Sequence, residues 1–210
     1  MNRYLTLSAV ALAAALALSA CGSGSSGSSS TSMSGMPGMD SSSPTAAGSS
    51  AAGTPSSSAA GHNAADTMFA QMMIPHHAQA ITMSDTLLKK QGVDARVTAL
   101  ARKIKAAQSP EIETMTGWLT TWGEPASMSG DQSMGGTMSA DDMHQLDAAT
   151  GAKASRLFLT QMIQHHQGAI SMAKDELSQG ANKDALNLAQ SIASSQQAQI
   201  TQMKALLASL

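Results

Sequence analysis

The chain has 210 residues, a formal net charge of −2 and 2% aromatic residues, and its 12 Lys and Arg side chains are scattered along its length. That balance leaves no basic stripe for phosphates and few rings for base stacking, which argues against nucleic acid as a partner. One cysteine and sixteen methionines make sulfur chemistry almost entirely a matter of thioethers.

Residues 1–20 carry Arg3, an apolar stretch from Leu5 to Leu18 and a small-residue ending, the pattern of a signal peptide too short for a confident membrane span. Leu18-Ser19-Ala20-Cys21 resembles a bacterial lipobox. The resemblance implies cleavage before Cys21, lipidation of its thiol, and an extracytoplasmic protein lipid-anchored to the cell membrane, in the periplasm or on the outer face of the envelope. A free cysteine beside an ordinary cleavage site is the alternative. With Cys21 lipidated no thiol remains for a disulfide, a nucleophile or a metal, so a soft-metal site must use methionine and histidine. Residues 21–61 are rich in Ser, Gly, Ala, Thr and Pro and bury too little apolar surface to offset the entropy of ordering; they are expected to form a disordered tether.

From residue 62 to the C-terminus the apolar residues recur at helical spacing, and no stretch alternates with period two. The expected class is all-α, in one domain. A first helix is predicted from about Ala64 to Lys90, ended by Gly92, and a second from Asp94, a plausible N-cap, to Trp122 before Gly123. A Gly/Ser/Met-rich loop then leads to Ser139-x-x-Asp142, which resembles a capping box with Asp in the Glu position, and a short helix to about Ala149. A third long helix spans about Ala152 to Ser178, stopped by Gly180, and a fourth runs from about Asn182 to the C-terminus.

The second hairpin repeats the first. Met73, His76, His77 and Met83 recur as Met162, His165, His166 and Met172 at an offset of 89 residues. Leu100, Ile104, Gln108, Ile112 and Met115 recur as Leu188, Ile192, Gln196, Ile200 and Met203 at an offset of 88, the difference falling in a turn, where indels are tolerated. Repeats over 64–123 and 151–210, joined by a crossover over 124–150 with its short extra helix, predict a four-helix bundle with an approximate two-fold relation. That relation brings the two His-His pairs towards each other. Pro75 and Pro110 are each expected to kink or locally break their helix, whereas the equivalent Gln164 and Ala198 are not.

At about 100° per residue, Phe69, Met73, His76, His77, Ala80, Met83 and Leu87 share an arc of roughly 120°, the face that holds the large apolar residues. The third helix repeats it with Phe158, Met162, His165, His166, Ala169 and Met172. The matching stripes are Leu100, Ile104, Ala107, Glu111, Met115 and Trp118 on the second helix, and Leu188, Ile192, Ser195, Gln199, Met203 and Leu206 on the fourth. Core methionine is ordinarily an adaptable filler, and a single buried histidine ordinarily a hydrogen-bonded core residue. Four buried imidazoles cost about 1–3 kcal/mol each unless they find partners, and this core offers mainly Glu111, Gln199, Gln108 and Gln196. A metal ion would satisfy them; satisfied core histidines are the alternative.

Ligand hardness narrows the metal. A di-iron site needs Glu-x-x-His, which this chain lacks, and zinc does not account for thioethers. Thioether with imidazole suits Cu(I); Cu(II) could enter through imidazoles, and silver ion should mimic Cu(I). Met33, Met36 and Met39 in the tether and Met128, Met134, Met138 and Met143 in the crossover lie outside the long helices, where an exposed methionine has no packing role. Copper capture is the expectation there, with biased composition as the alternative. Glu111, His62 and His144 are auxiliary candidates. Because thioethers do not titrate, the methionine sites are expected to keep Cu(I) in acid while the histidine sites release it below the ordinary imidazole pKa of about 6.5.

These motifs, Met72-Met73-Ile74-Pro75-His76-His77 with Met83, Met162-Ile163-Gln164-His165-His166 with Met172, and Glu111-Ile112-x-x-Met115 followed by Trp118-Leu119, resemble the bacterial domain-of-unknown-function family 305 and its CopM-type copper-binding members. The resemblance spans about Asp66 to Leu207. It implies a ferritin-like bundle that binds copper, and in some members silver, for tolerance or trafficking. The ligands it implies are Met73, His76, His77, Met83, Met115, Met162, His165, His166, Met172 and Met203. Gln199 stands where the first repeat has Glu111, which puts a carboxylate ligand in the second half in doubt. The expected function is a non-enzymatic copper-binding lipoprotein. A copper-dependent redox enzyme using Glu111 as proton acceptor, or a structural envelope protein without metal, are the alternatives.

Overall fold

The computed structural model describes residues 61–128 and 135–210. Five helices account for nearly all of them: α1 (Ala64–Leu88), α2 (Ala95–Trp122), α3 (Ala140–Ala148), α4 (Gly151–Gln179) and α5 (Lys183–Ser209). Cys21, Met33, Met36, Met39 and Met134, with the expected signal peptide and nearly all of the tether, lie outside the described residues.

The helix ends follow the local chemistry of the sequence. Asn63 caps α1 by accepting from the Ala65 and Asp66 amides, while Asp66 accepts from the Asn63 amide in return. Asp94 caps α2, and Ser139 with Asp142 forms the expected capping box on α3. Gly123 closes α2 in the left-handed conformation, with φ 72°.

Pro75 and Pro110 sit inside α1 and α2, and neither helix is broken. A proline in a helix interior costs about 3 kcal/mol, whereas each fully buried large apolar side chain contributes about 1.5–3 kcal/mol. Phe69, Met73, Met83 and Leu87 on α1 therefore outweigh the defect.

Helices α1 and α2 form one hairpin, α4 and α5 the other, and α1 packs on α4 along the seam between them. The seam is antiparallel. At one end Asn63 Nδ2 donates to the Gln179 carbonyl at 2.8 Å, and the Ala181 and Asn182 amides donate to Asp66. Helix α3 packs against α1 and α4. Just before it, Gln79 clamps the Met138 backbone through two hydrogen bonds, of 2.9 and 2.7 Å. The backbone of Gly135 and Gly136 lies directly on Gly168 of α4, in space that a Cβ there would occupy.

The inward stripes of α2 and α5 differ from those expected by about one position. Gln108 and Gln196 are buried where Ala107 and Ser195 were expected; the latter pair are exposed, and Leu119, Ala189 and Ile200 complete the inner faces. Trp118 and Leu188 are only partly buried. Each outer helix contacts essentially one neighbour, so its rotation is set by packing against the inner pair and not by its own periodicity.

A candidate metal centre on the two-fold seam

The antiparallel seam crosses at the histidines. His76, His77, His165 and His166 are all fully buried. The His76 and His165 rings face each other across the seam with centroids 3.7 Å apart. Within each repeat the adjacent rings keep the same relation, 6.5 Å and 54° for His76 and His77, 6.4 Å and 56° for His165 and His166. The sequence repeat has become a structural two-fold.

The outer pair is anchored from the neighbouring helices. His77 Nε2 lies 2.7 Å from Glu111 Oε2, and His166 Nε2 lies 2.6 Å from Gln199 Oε1. A carboxylate only accepts, so His77 Nε2 carries the proton of this bond, while Nδ1 points to no hydrogen-bond partner. Gln199 offers its amide oxygen to the same ring atom, so the replacement of an acidic residue preserves the arrangement. Both nitrogens of His76 and of His165, and Nδ1 of His77 and of His166, are buried and close no hydrogen bond of normal geometry; the backbone of Gly135 lies near His76 and opposes the lowering of its pKa only weakly. Of the four partners expected, Gln108 and Gln196 do not serve, their own Oε1 atoms being unpartnered.

Burial, followed by the neighbouring His77 and His166, holds His76 down to about 3. Burial, then His76, holds His165 down to about 2. Burial takes His166 to about 4 against the hydrogen bond that its ring donates to Gln199. At neutral pH these three imidazoles are uncharged and carry lone pairs. The expected release of histidine-bound metal near pH 6.5 is corrected accordingly: protons compete at these rings only well below that value.

The methionines gather in two clusters, each drawn from both repeats. Met73 and Met115 of the first repeat pack with Met172 of the second, beside Phe69, Leu119 and Ile192. Met162 and Met203 pack with Met83 of the first repeat, beside Ile104, Phe158 and Ile200. The two-fold exchanges one trio for the other. All ten principal ligand candidates are thus brought into the interior, the imidazoles on the seam and a set of thioethers in each cluster. Among the described residues no three His, Cys, Asp or Glu side chains converge to hold a metal ion. Thioethers are the remaining soft donors, and their chemistry with unprotonated imidazole fits Cu(I).

The auxiliary candidates fare differently. Met138, expected as an exposed capture residue, is 6% exposed and packs in the cluster of Met83, Met162 and Met203. Met143 packs partly buried against the same cluster, and Met128 is partly buried. His144 is exposed on α3, and His62 stacks on Trp122 at 4.4 Å; neither joins the centre. Glu111 reaches the centre as the partner of His77.

At the far end of the seam, burial raises the Asp66 carboxyl, but hydrogen bonds from the Asn63, Asn182 and Ala181 amides, with Glu176 nearby, outweigh it and hold Asp66 below its ordinary value. Glu176 is pushed up to about 8, first by burial and then by the neighbouring Asp66, so it is protonated at neutral pH. No sequence signal marked this carboxyl pair, because its members are 110 positions apart and on different repeats.

Glu111 orients a ring through its far nitrogen, and loss of such a partner ordinarily costs about 10–100-fold in metal affinity. Glu111→Leu is expected to weaken copper binding by that factor. Glu111→Gln, which copies the second repeat, should cost less than about tenfold. Competition titrations of the two variants check this; equal losses would deny the oxygen acceptor its role.

Fold and interior together define a duplicated helical bundle with an imidazole seam between two thioether clusters. The model of the family described as domain of unknown function (DUF305) matches residues 66–207, and the chain belongs to this family. A comparison with curated proteins returned no match. Among solved structures, a DUF305 protein from Streptomyces coelicolor is 31% identical, with a TM-score of 0.66 over 69% of this chain and 91% of that one. A DUF305 fragment from Deinococcus radiodurans is 30% identical, with a TM-score of 0.65 over 70% of this chain and 98% of the other. CopM in its Cu(II)-bound form is 34% identical, with a TM-score of 0.59 over 69% and 96% respectively. CopM has also been solved in Cu(I)-bound and Ag-bound forms.

Proposed function

We propose that this protein binds Cu(I) in the interior of its bundle and sequesters or passes on the ion outside the cytoplasm, for copper tolerance or homeostasis. Silver ion acts as a mimic, and Cu(II) is taken through the imidazoles. The observation that carries the reading is the set of six buried imidazole nitrogens that close no hydrogen bond of normal geometry. Left dry they destabilise the fold by about 1–3 kcal/mol per unmet group; a soft cation flanked by thioethers removes that cost. The copper- and silver-bound forms of CopM support the same reading.

The role is one of holding and transfer, not turnover. Anchoring through a lipid on Cys21 follows from the lipobox resemblance, and the Streptomyces coelicolor relative is described as a candidate secreted protein. Among the described residues no helix is long and apolar enough to cross a membrane.

Anaerobic titration with Cu(I) against a competing chelator is the direct test. The expected result is binding tighter than about 1 µM, lost when His76, His77, His165 and His166 are all replaced. Weaker binding by the intact chain would overturn the proposal. Sustained oxygen consumption on adding Cu(I) would overturn its non-enzymatic part.

A further inference from the structure

The two halves of the bundle are not equally closed. Over the cluster of Met83, Met162 and Met203 lies α3, whose Leu146 is fully buried and whose Asp142 carbonyl accepts from Gln161. The opposite cluster, with Met73, Met115 and Met172, has no such cover among the described residues. There a groove of about 220 Å³ opens between the start of α1 and the end of α4, lined by Met68, Phe69, Met72, Met172, Asp175 and Glu176.

Its thioethers are graded in exposure. Met68 is 49% exposed, Met72 is partly buried, Met172 is 8% exposed and Met73 is fully buried. Met68 and Met72 are four residues apart, so they share one face of α1. Met172 belongs both to the groove wall and to the interior cluster. The positions equivalent to Met68 and Met72 in the second repeat are Leu157 and Gln161, so the two-fold provides no such path on the covered side. Met68 and Met72 lay outside the arc that faces the core; Met72 entered only as the first residue of the family motif, and Met68 was marked by nothing but its four-residue spacing from Met72.

We propose that Met68, Met72 and Met172 form a surface Cu(I) site through which the ion reaches the interior. This rests on the Cu(I)-binding reading above. A thioether as exposed as Met68 gains little from packing, and it keeps its lone pairs at any pH. The exposed carboxylate of Asp175 at the mouth attracts a cation. Transfer is ligand exchange without electron transfer: a bond from copper to the next sulfur forms as the bond to the previous one breaks, from Met68 and Met72 to Met172 and on to Met73. The groove is the port and the seam is the store.

The test is the rate of loading of the full chain from an anaerobic Cu(I)–bicinchoninate complex, followed by loss of the coloured complex, with the equilibrium copper count measured alongside. Met68→Leu with Met72→Leu conserves volume. The double variant is expected to load about tenfold more slowly, as the loss of one stabilising contact at the barrier would cause, while filling the interior to the same extent. Unchanged loading rate in a variant that fills normally overturns the port and leaves the Cu(I)-binding reading standing. A parent chain that takes up no copper overturns both. As a second readout, substoichiometric Ag(I) should shift the methyl NMR signals of Met68 and Met72; if neither signal moves while the interior fills, the surface site is refuted.

Discussion

Replacing His76 and His165 together by leucine is expected to weaken copper binding at least about 100-fold while leaving the metal-free bundle at least as stable as the parent. The two effects are coupled by the same atoms. These rings present four buried nitrogens that close no hydrogen bond of normal geometry, and removing unpaired polar groups in favour of apolar ones of similar size is neutral or stabilising. If the rings served packing alone, the substitution would leave copper binding unchanged. Chemical denaturation of the metal-free variant and its copper competition curve, measured side by side, separate the cases. Intact copper affinity with a stability loss of several kcal/mol would identify the histidines as structural.

The metal-free protein is also expected to weaken steeply in mild acid. His76, His165 and His166 are held at about 3, 2 and 4, against about 6.5 in the unfolded chain. Below pH 6.5 the unfolded state therefore binds more protons than the native state at these sites, and stability falls with pH. Glu176 runs the other way: its native value of about 8 lies above its unfolded one, so the stability it supplies is present in acid and fades as pH rises. Between pH 6.5 and pH 5 the three imidazoles lose about 5 kcal/mol and Glu176 returns about 2, a net loss of about 3 kcal/mol. Copper at 100 times its Kd would restore about 2.7 kcal/mol. Urea denaturation at pH 7, 6 and 5, with and without Cu(I), checks both statements. A flat profile for the metal-free protein would mean that the seam histidines are reached by protons in the native state.

Much of the architecture was legible beforehand. The apolar period placed four long helices to within two residues at each end, and the offsets of 89 and 88 announced the two-fold. What the period could not supply was the rotation of the outer helices. Ala107 and Gln108 differ by one step of about 100°, and only packing against the inner pair decides which of them turns inward. Nor did the repeat say which thioethers would meet. Met83 belongs to the first hairpin in sequence but to the second hairpin's cluster in space, because α1 and α4 run antiparallel and exchange ends. Met138 was misread for a related reason: a loop residue in sequence, it is drawn into the core by the Gln79 clamp.

That exchange of ends ties the integrity of both sulfur clusters to cohesion of the halves. Each sulfur cluster borrows one member from across the seam, so neither hairpin alone owns a complete set. Any force that pries α1 from α4 dismantles both clusters at once, together with the facing rings between them. Neither trio would outlast the separation of the hairpins, so the assembled interior exists only while the two repeats stay closed on each other.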